Sequence, residues 1–266
     1  MAKVGVTDAR CLQWPSWRFL LREKGRRVVV EWAGIFPDAP RPILNWRNRY
    51  REYVRQIDVV GWPRYDSGGM GVVKRLGIDD RIIPASDTEP IGYGPTSRVE
   101  PTYPCYMSSL AGKRVLIVNP MAELMATRAR QDVHERCWKG RSTWWSPSAV
   151  IPLAIPSGFD ANDRARFGSW DSLLTFVVSE IKSKDFDVAL IAAGGYGVPI
   201  AAEVKAFGKV AICMGGMLQL LFGLSGERWL NRDDFKSLIN DAWLRPSANF
   251  RPTGRDLNQL EGCEYW

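Results

Sequence analysis

Two groups of glycines carry the most legible chemistry of this 266-residue chain. Gly194, Gly195 and Gly197 form one group and Gly215 and Gly216 the other, each following a short apolar run. A glycine takes positive φ at little cost and lets another group approach the main chain, so amides at a helix start can face an anion such as a diphosphate. The spacing Gly-Gly-x-Gly is neither the dinucleotide fingerprint Gly-x-Gly-x-x-Gly nor the phosphate loop that ends in Gly-Lys-Ser/Thr. The same letters also fit plain tight turns of an α/β sheet, and on spacing both readings stand. His134 is the single histidine, which excludes mechanisms that need two or three imidazoles. The five cysteines, Cys11, Cys105, Cys137, Cys213 and Cys263, have no Cys-x-x-Cys pairing, which argues against a disulfide framework and a zinc site alike. Cys213 falls in a predicted strand and reads as core. No Asp-x-Asp pair stands in a suitable place for a metal, and Asp79-Asp80 reads as solvated loop charge, so no metal ligand is assigned.

The elements that must position these glycines follow one another without a break over residues 185–229. Residues 188–192 are continuously apolar, the pattern of a strand covered on both faces of a parallel sheet. Residues 198–207 bring Ile200, Ala201, Val204 and Phe207 to helical spacing, and Gly208 stands where a helix end favours a left-handed residue. Residues 210–214 form a second buried-type strand, and Gly215-Gly216 turns into the apolar segment 217–222. In such a sheet a ligand lies outside the carboxyl ends of the strands. Upstream, 115–118 reads as another strand, and Asn119-Pro120 opens a helix running to about residue 134. Glu123 lies in the first turn of that helix, where the dipole favours a carboxylate. Leu173, Leu174, Val177, Val178 and Ile181 predict an amphipathic helix over 170–182.

The fold expected is therefore a single α/β domain over 1–266 with a mostly parallel central sheet. Residues 1–44 are expected as an N-terminal extension with a short strand at 28–31, followed by a helix over 47–56 and a strand over 57–60 ended by 61–63. Asp66 follows close by. Residues 64–112 are rich in Gly, Pro, Asp and Ser and read as an irregular insertion or lid. The stretch 144–167 is loop-like with a strand at 150–155. A helix over 233–242 precedes an extended tail, 243–266, with Tyr265 and Trp266 as anchors.

Thirty-six basic against 29 acidic residues give a formal charge of +7, which favours polyanions: nucleic acid, an anionic membrane surface or phosphorylated substrates. Arginines 41, 47, 49, 51 and 55 interleave with Trp46, Tyr50 and Tyr53, so the segment 41–55 offers a nucleic-acid-binding surface that stacks bases and neutralises phosphates. A solvated helix face has the same composition. No apolar run approaches the ~20 residues that span a bilayer, and 1–17 lacks a secretory core, so a cytoplasmic location is expected.

The strings GKRVLIVNPMAE, DVALIAAGGYGVPIAAEVKAFGKVAICMGGMLQLLFGLSGERW and WLRPS with LEGCEYW resemble, in that order, a bacterial and viral family grouped with the GT-D-type glycosyltransferases. The likeness covers about 112–266 and, less fully, 45–63. It implies a Rossmann-like, three-layer, GT-D-like fold and transfer of a sugar from a nucleotide-diphosphate sugar to a glycan or polysaccharide acceptor. On this resemblance Gly194, Gly195, Tyr196, Gly197, Gly215, Gly216 and Gln219 line the donor pocket, Asn119 and Glu123 face it, and Arg228 neutralises a phosphate. The acidic Gly-Asp-Gly-Glu-like motif of GT-D enzymes is not found in the sequence; Glu31 and Asp66 are the nearest substitutes. Glycosyl transfer needs a stabilised leaving diphosphate and, in an inverting reaction, a carboxylate to take the acceptor's proton. Glu123 or Asp66 is expected to be that base, and Trp62 and Trp144-Trp145 to stack on sugars. Two alternatives stand beside this reading: a catalytically inactive nucleotide- or sugar-binding protein on the same fold, and the nucleic-acid module of 41–55.

Overall fold

Seven short strands form one sheet in a computed structural model that describes residues 1–4, 6–13, 23–62, 69–84, 106–130, 133–138, 146–230, 236 and 239–254. They are β1 (Ala2–Lys3), β2 (Val60–Trp62), β3 (Ile82–Pro84), β4 (Arg114–Val118), β5 (Ala149–Leu153), β6 (Val188–Ile191) and β7 (Val210–Cys213). Their order is β3-β2-β1-β7-β6-β4-β5, and every pairing is parallel. The expected α/β class with a parallel central sheet is what the chain adopts.

Period-two alternation explains the layers. Leu116, Val118, Ala189, Ile191, Ala211 and Cys213 face one core, while Val115, Ile117, Val188, Leu190 and Ile212 face the other. Because both faces are covered by helices, residues 115–118, 188–191 and 210–213 read as unbroken apolar runs. On the first face lie helices Pro40–Gln56, Trp170–Lys182 and Gly197–Ala206; on the second lie Ala122–Arg130 and Met217–Leu221. The Trp170–Lys182 helix starts at Ser169, whose hydroxyl accepts from the Ser172 amide, and buries Trp170, Leu173, Leu174, Val177, Val178 and Ile181. Each of these large apolar side chains contributes roughly 1.5–3 kcal/mol by leaving water. Pro152 is tolerated in β5 because that strand is at the sheet's edge.

Several local expectations differ from the fold. The β-branched run at 28–31 lies in a helix, Glu23–Trp32, because Val29 and Val30 pack into the first core and tertiary burial overrides strand propensity. Residues 1–44 are more than an extension: β1 sits between β2 and β7 inside the sheet. The stretch 64–112 holds a helix, Gly69–Leu76, and the edge strand β3. The helix after Asn119 divides into Ala122–Arg130 and Val133–Cys137, and a further helix, Ala161–Phe167, occupies a stretch expected as loop. Half of the helix expected over 233–242 lies outside the described residues, and so do Tyr265 and Trp266; residues 239–242 are a turn rather than a helix.

Candidate active site

A cavity of about 300 Å³ opens at the carboxyl ends of β4, β5, β6 and β7. The helix that follows β4 packs on one face of the sheet and the helix that follows β6 on the other, although the two strands are neighbours. Such a switch point splays the loops apart and leaves a crevice. Asn119 spans it: its Nδ2 donates to the Ala192 carbonyl at 2.7 Å, and its Oδ1 accepts from the Met121 amide at 2.8 Å. Asn119 thus lines the cavity with both ends of its amide engaged.

Gly194, Tyr196, Gly215, Gly216 and Gln219 also line the cavity. Gly194 and Gly215 have φ of +52° and +59°, the left-handed region that favours glycine. Gly195 and Gly197 do not reach the cavity wall. The Gly195 amide donates to the Ala33 carbonyl at 2.9 Å, and its carbonyl accepts from the Trp46 indole at 3.4 Å. A Cβ on Gly197 would stand 2.5 Å from the Cys213 Sγ, so this glycine lets the helix approach β7. The amides of Tyr196 and Gly197 donate to Ala193 and Gly194 carbonyls. Three of the four amides of the first glycine turn are therefore committed within the protein rather than held open for a diphosphate. The Tyr196 hydroxyl donates to the Gly34 carbonyl at 3.3 Å, and burial pushes its phenol well above the usual range, with Arg164 pulling the other way.

Among the described residues, the carboxylates at the cavity are Asp160 and Asp163, neither of which is expected from the sequence. Glu123 is exposed and absent from the wall, because Ala122, Met125 and Ala126 face the core and helical geometry turns position 123 outward. Glu31 pairs with Arg27 at 2.6 Å, away from the cavity. Asp66 lies outside the described residues. Asp160 caps the Ala161–Phe167 helix: Oδ1 accepts from the amides of Asn162 and Asp163, and Oδ2 from the amide and hydroxyl of Thr253 at 2.7 and 2.8 Å. Burial disfavours its charge, but the Thr253 and helix-amide bonds outweigh that and hold its pKa below the ordinary value. The Asp163 Oδ2 accepts from the Ser157 amide at 2.7 Å. An Asp-x-x-Asp pair closed by Gly168 in the left-handed region was the available sequence signal for this helix.

No protein-family model and no curated protein matches the chain. Two solved structures are similar to it. One is the selenomethionine-substituted form of domain of unknown function 1792, and the other is described as showing that this conserved domain has a distinct glycosyltransferase fold. Each shares 12% identity, covers 92% of this chain and 95% of its own, and gives a TM-score of 0.42.

Among the described residues, Arg251 is the cation that lines the cavity. The side chain of Arg228, the residue expected to neutralise a phosphate, lies outside the described residues. Aromatic surface comes from Trp32, Phe159 and Phe250, and Trp32 is 43% exposed. Trp62 is buried and so presents no ring to a sugar, while Trp144 and Trp145 lie outside the described residues. Among the described residues no three His, Cys, Asp or Glu side chains are grouped to hold a metal, and no helix is long and apolar enough to cross a membrane.

The segment 41–55 points its aromatics inward. Trp46, Tyr50 and Tyr53 are buried, and Arg47 is buried too, its guanidinium donating to the Cys11 carbonyl at 2.9 Å. Arg49 pairs with Asp171 and lies over the Trp170 ring at 5.1 Å. No base can stack on these rings; one of them holds the glycine turn instead.

Proposed function

We propose that this protein is a glycosyltransferase that binds a nucleotide-diphosphate sugar in the strand-tip cavity and transfers the sugar to a glycan or polysaccharide acceptor in the cytoplasm. The observation that carries this reading is one crevice, at a switch point of a parallel sheet, that brings together an exposed indole, an arginine and two carboxylates. Trp32 offers a face on which a base or sugar ring stacks. Arg251 offers charge to the diphosphate. Asp160 already accepts four hydrogen bonds and is a poor base, whereas Asp163 keeps Oδ1 for an acceptor hydroxyl.

In the transfer, the acceptor oxygen bonds to the anomeric carbon, the bond from that carbon to the diphosphate oxygen breaks, and the diphosphate leaves with the electron pair. Asp163 takes the hydroxyl proton. The volume is at the small end for ligand sites, so the cavity holds part of the donor and leaves the remainder toward the acceptor side.

The competing reading, a binder without catalysis, draws on the structural duty that both aspartates perform. A thermal-shift screen over nucleotide sugars, followed by an assay for released nucleoside diphosphate, separates the two. Asp163→Asn is expected to keep donor affinity and lose turnover roughly 10²–10⁴-fold, the usual size of a general-base contribution. Donor binding without turnover in the unmutated protein supports the binder, and no nucleotide-sugar binding at all ends both readings.

A further inference from the structure

The segment 248–254 is anchored at both ends while the residue between the anchors faces the cavity. Phe250 packs against the second core. Thr253 makes four hydrogen bonds to the start of the Ala161–Phe167 helix. Its amide and hydroxyl donate to the Asp160 carboxylate, its carbonyl accepts from the Ala161 amide at 3.1 Å, and its Oγ1 accepts from Asn162 Nδ2 at 3.0 Å. Gly254, at φ +66°, lies so near this helix that a Cβ would stand 2.7 Å from the Ala161 Cβ. Arg251, exposed and two residues from Thr253, is thereby held at the rim with its backbone fixed.

Two facts bear on what it does there. The first glycine turn has spent three of its four amides on protein carbonyls, so it offers an anion in the cavity few donors of its own. Arg251 pairs with no carboxylate among the described residues, although Asp160 and Asp163 share its cavity. A guanidinium carried at the rim by an anchored backbone, with no carboxylate partner among the described residues, matches the planar, two-pronged geometry of a diphosphate.

We infer that Arg251 is the residue that contacts the diphosphate of the cavity's ligand, and that Asp160 and Thr253 are positioning residues that hold its segment in place. The identity of the ligand as a nucleotide sugar rests on the proposed function; the anion contact does not.

Calorimetric titration of the full chain with inorganic pyrophosphate, nucleoside diphosphates and the corresponding nucleosides tests the inference. Arg251→Ala should weaken pyrophosphate and diphosphate binding tenfold or more and leave nucleoside binding unchanged. Arg251→Lys should recover part of the loss, since it restores charge without the fork. Thr253→Val, which removes the hydroxyl but keeps the amide, should weaken the diphosphates a few-fold with the nucleosides again unmoved. Equal diphosphate affinity in the unmutated and Arg251→Ala proteins would overturn the inference and leave the sugar-transfer reading standing. Arg251-dependent pyrophosphate binding with no nucleotide binding would uphold the anion site and remove the donor reading. Absence of binding by every probe would overturn both.

Discussion

Gly158 and Gly34 touch main chain to main chain: a Cβ added to Gly158 would overlap the Gly34 carbonyl oxygen and stand 2.9 Å from its carbon. The loop after β5 is therefore seated on the residues that follow the Glu23–Trp32 helix, beside the first glycine turn. Backbone cannot swing aside as a side chain does, so Gly158→Ala is expected to destabilise the fold by about 1–3 kcal/mol or more, the usual cost of overpacking. Gly215→Ala meets no atom within 4 Å and is charged only for its positive φ, about 1–2 kcal/mol. Urea denaturation of both variants checks the ranking, and a smaller loss for Gly158→Ala would contradict the contact.

Arg47 and Arg41 are neighbours in one basic run with different roles. Arg47 is buried and donates to the Cys11 and Leu12 carbonyls of the helix Val6–Gln13, whereas Arg41 is exposed. Arg47→Met should cost about 1.5–3 kcal/mol by stripping charged hydrogen bonds from buried carbonyls. Arg41→Ala should stay within about 0.5 kcal/mol. If neither variant changes the denaturation midpoint, and both instead weaken salt-sensitive binding to nucleic acid, the inward reading of this helix is wrong.

The Asp160 carboxylate gives the anchored tail a defined pH response. Its folded pKa lies below the unfolded value, so the stabilisation it confers is fully present above the ordinary carboxylate pKa of about 3.9. It is lost as pH falls through the lower folded value. Asp160→Asn keeps a capping oxygen but turns an amide donor toward Thr253, for an expected loss of about 1–2 kcal/mol at pH 7. The difference between the two proteins should hold from pH 8 to about 5 and close in stronger acid. Thermal melts over that range measure it; a gap that widens toward acid would be the wrong sign.

Trp32 is the cavity residue whose removal should separate binding from folding. At 43% exposure it contributes little to the core, while a stacked base or sugar ring on an aromatic face is worth about 1–3 kcal/mol. Trp32→Ala should weaken nucleotide-sugar affinity by roughly tenfold with an almost unchanged melting temperature. A parallel fall in both would mean that the indole is structural.

The elements most legible in the sequence were those buried on both sides. The apolar runs of β4, β6 and β7 and the spacing of the Trp170–Lys182 helix declare themselves locally, since each residue's burial is written in its own type. β1 was illegible because two residues carry no period. The helix over Val28–Val30 was hidden by a β-branched run whose burial depends on distant partners. At the cavity, the turns holding Gly194, Gly215 and Gly216 could be located from glycine punctuation, but not which amides they keep free, because the acceptor at Ala33 lies far away in the chain. Asp160, Thr253 and Arg251 come together only through tertiary contact, so their local strings announce a cap and a tail, not a wall.

The position of β1 has a consequence for how the chain is made. Its partners are β2 and β7, and it meets β7 at Ala2 and Cys213. β1 must hold one flank unzipped until β7, the last of the seven strands in chain order, has been translated, since β7 is the seam that unites β1-β2-β3 with β6-β4-β5. Such long-range closure is slow and leaves a hydrophobic flank open in the meantime. Fragments ending before residue 210 are thus expected to clump when expressed.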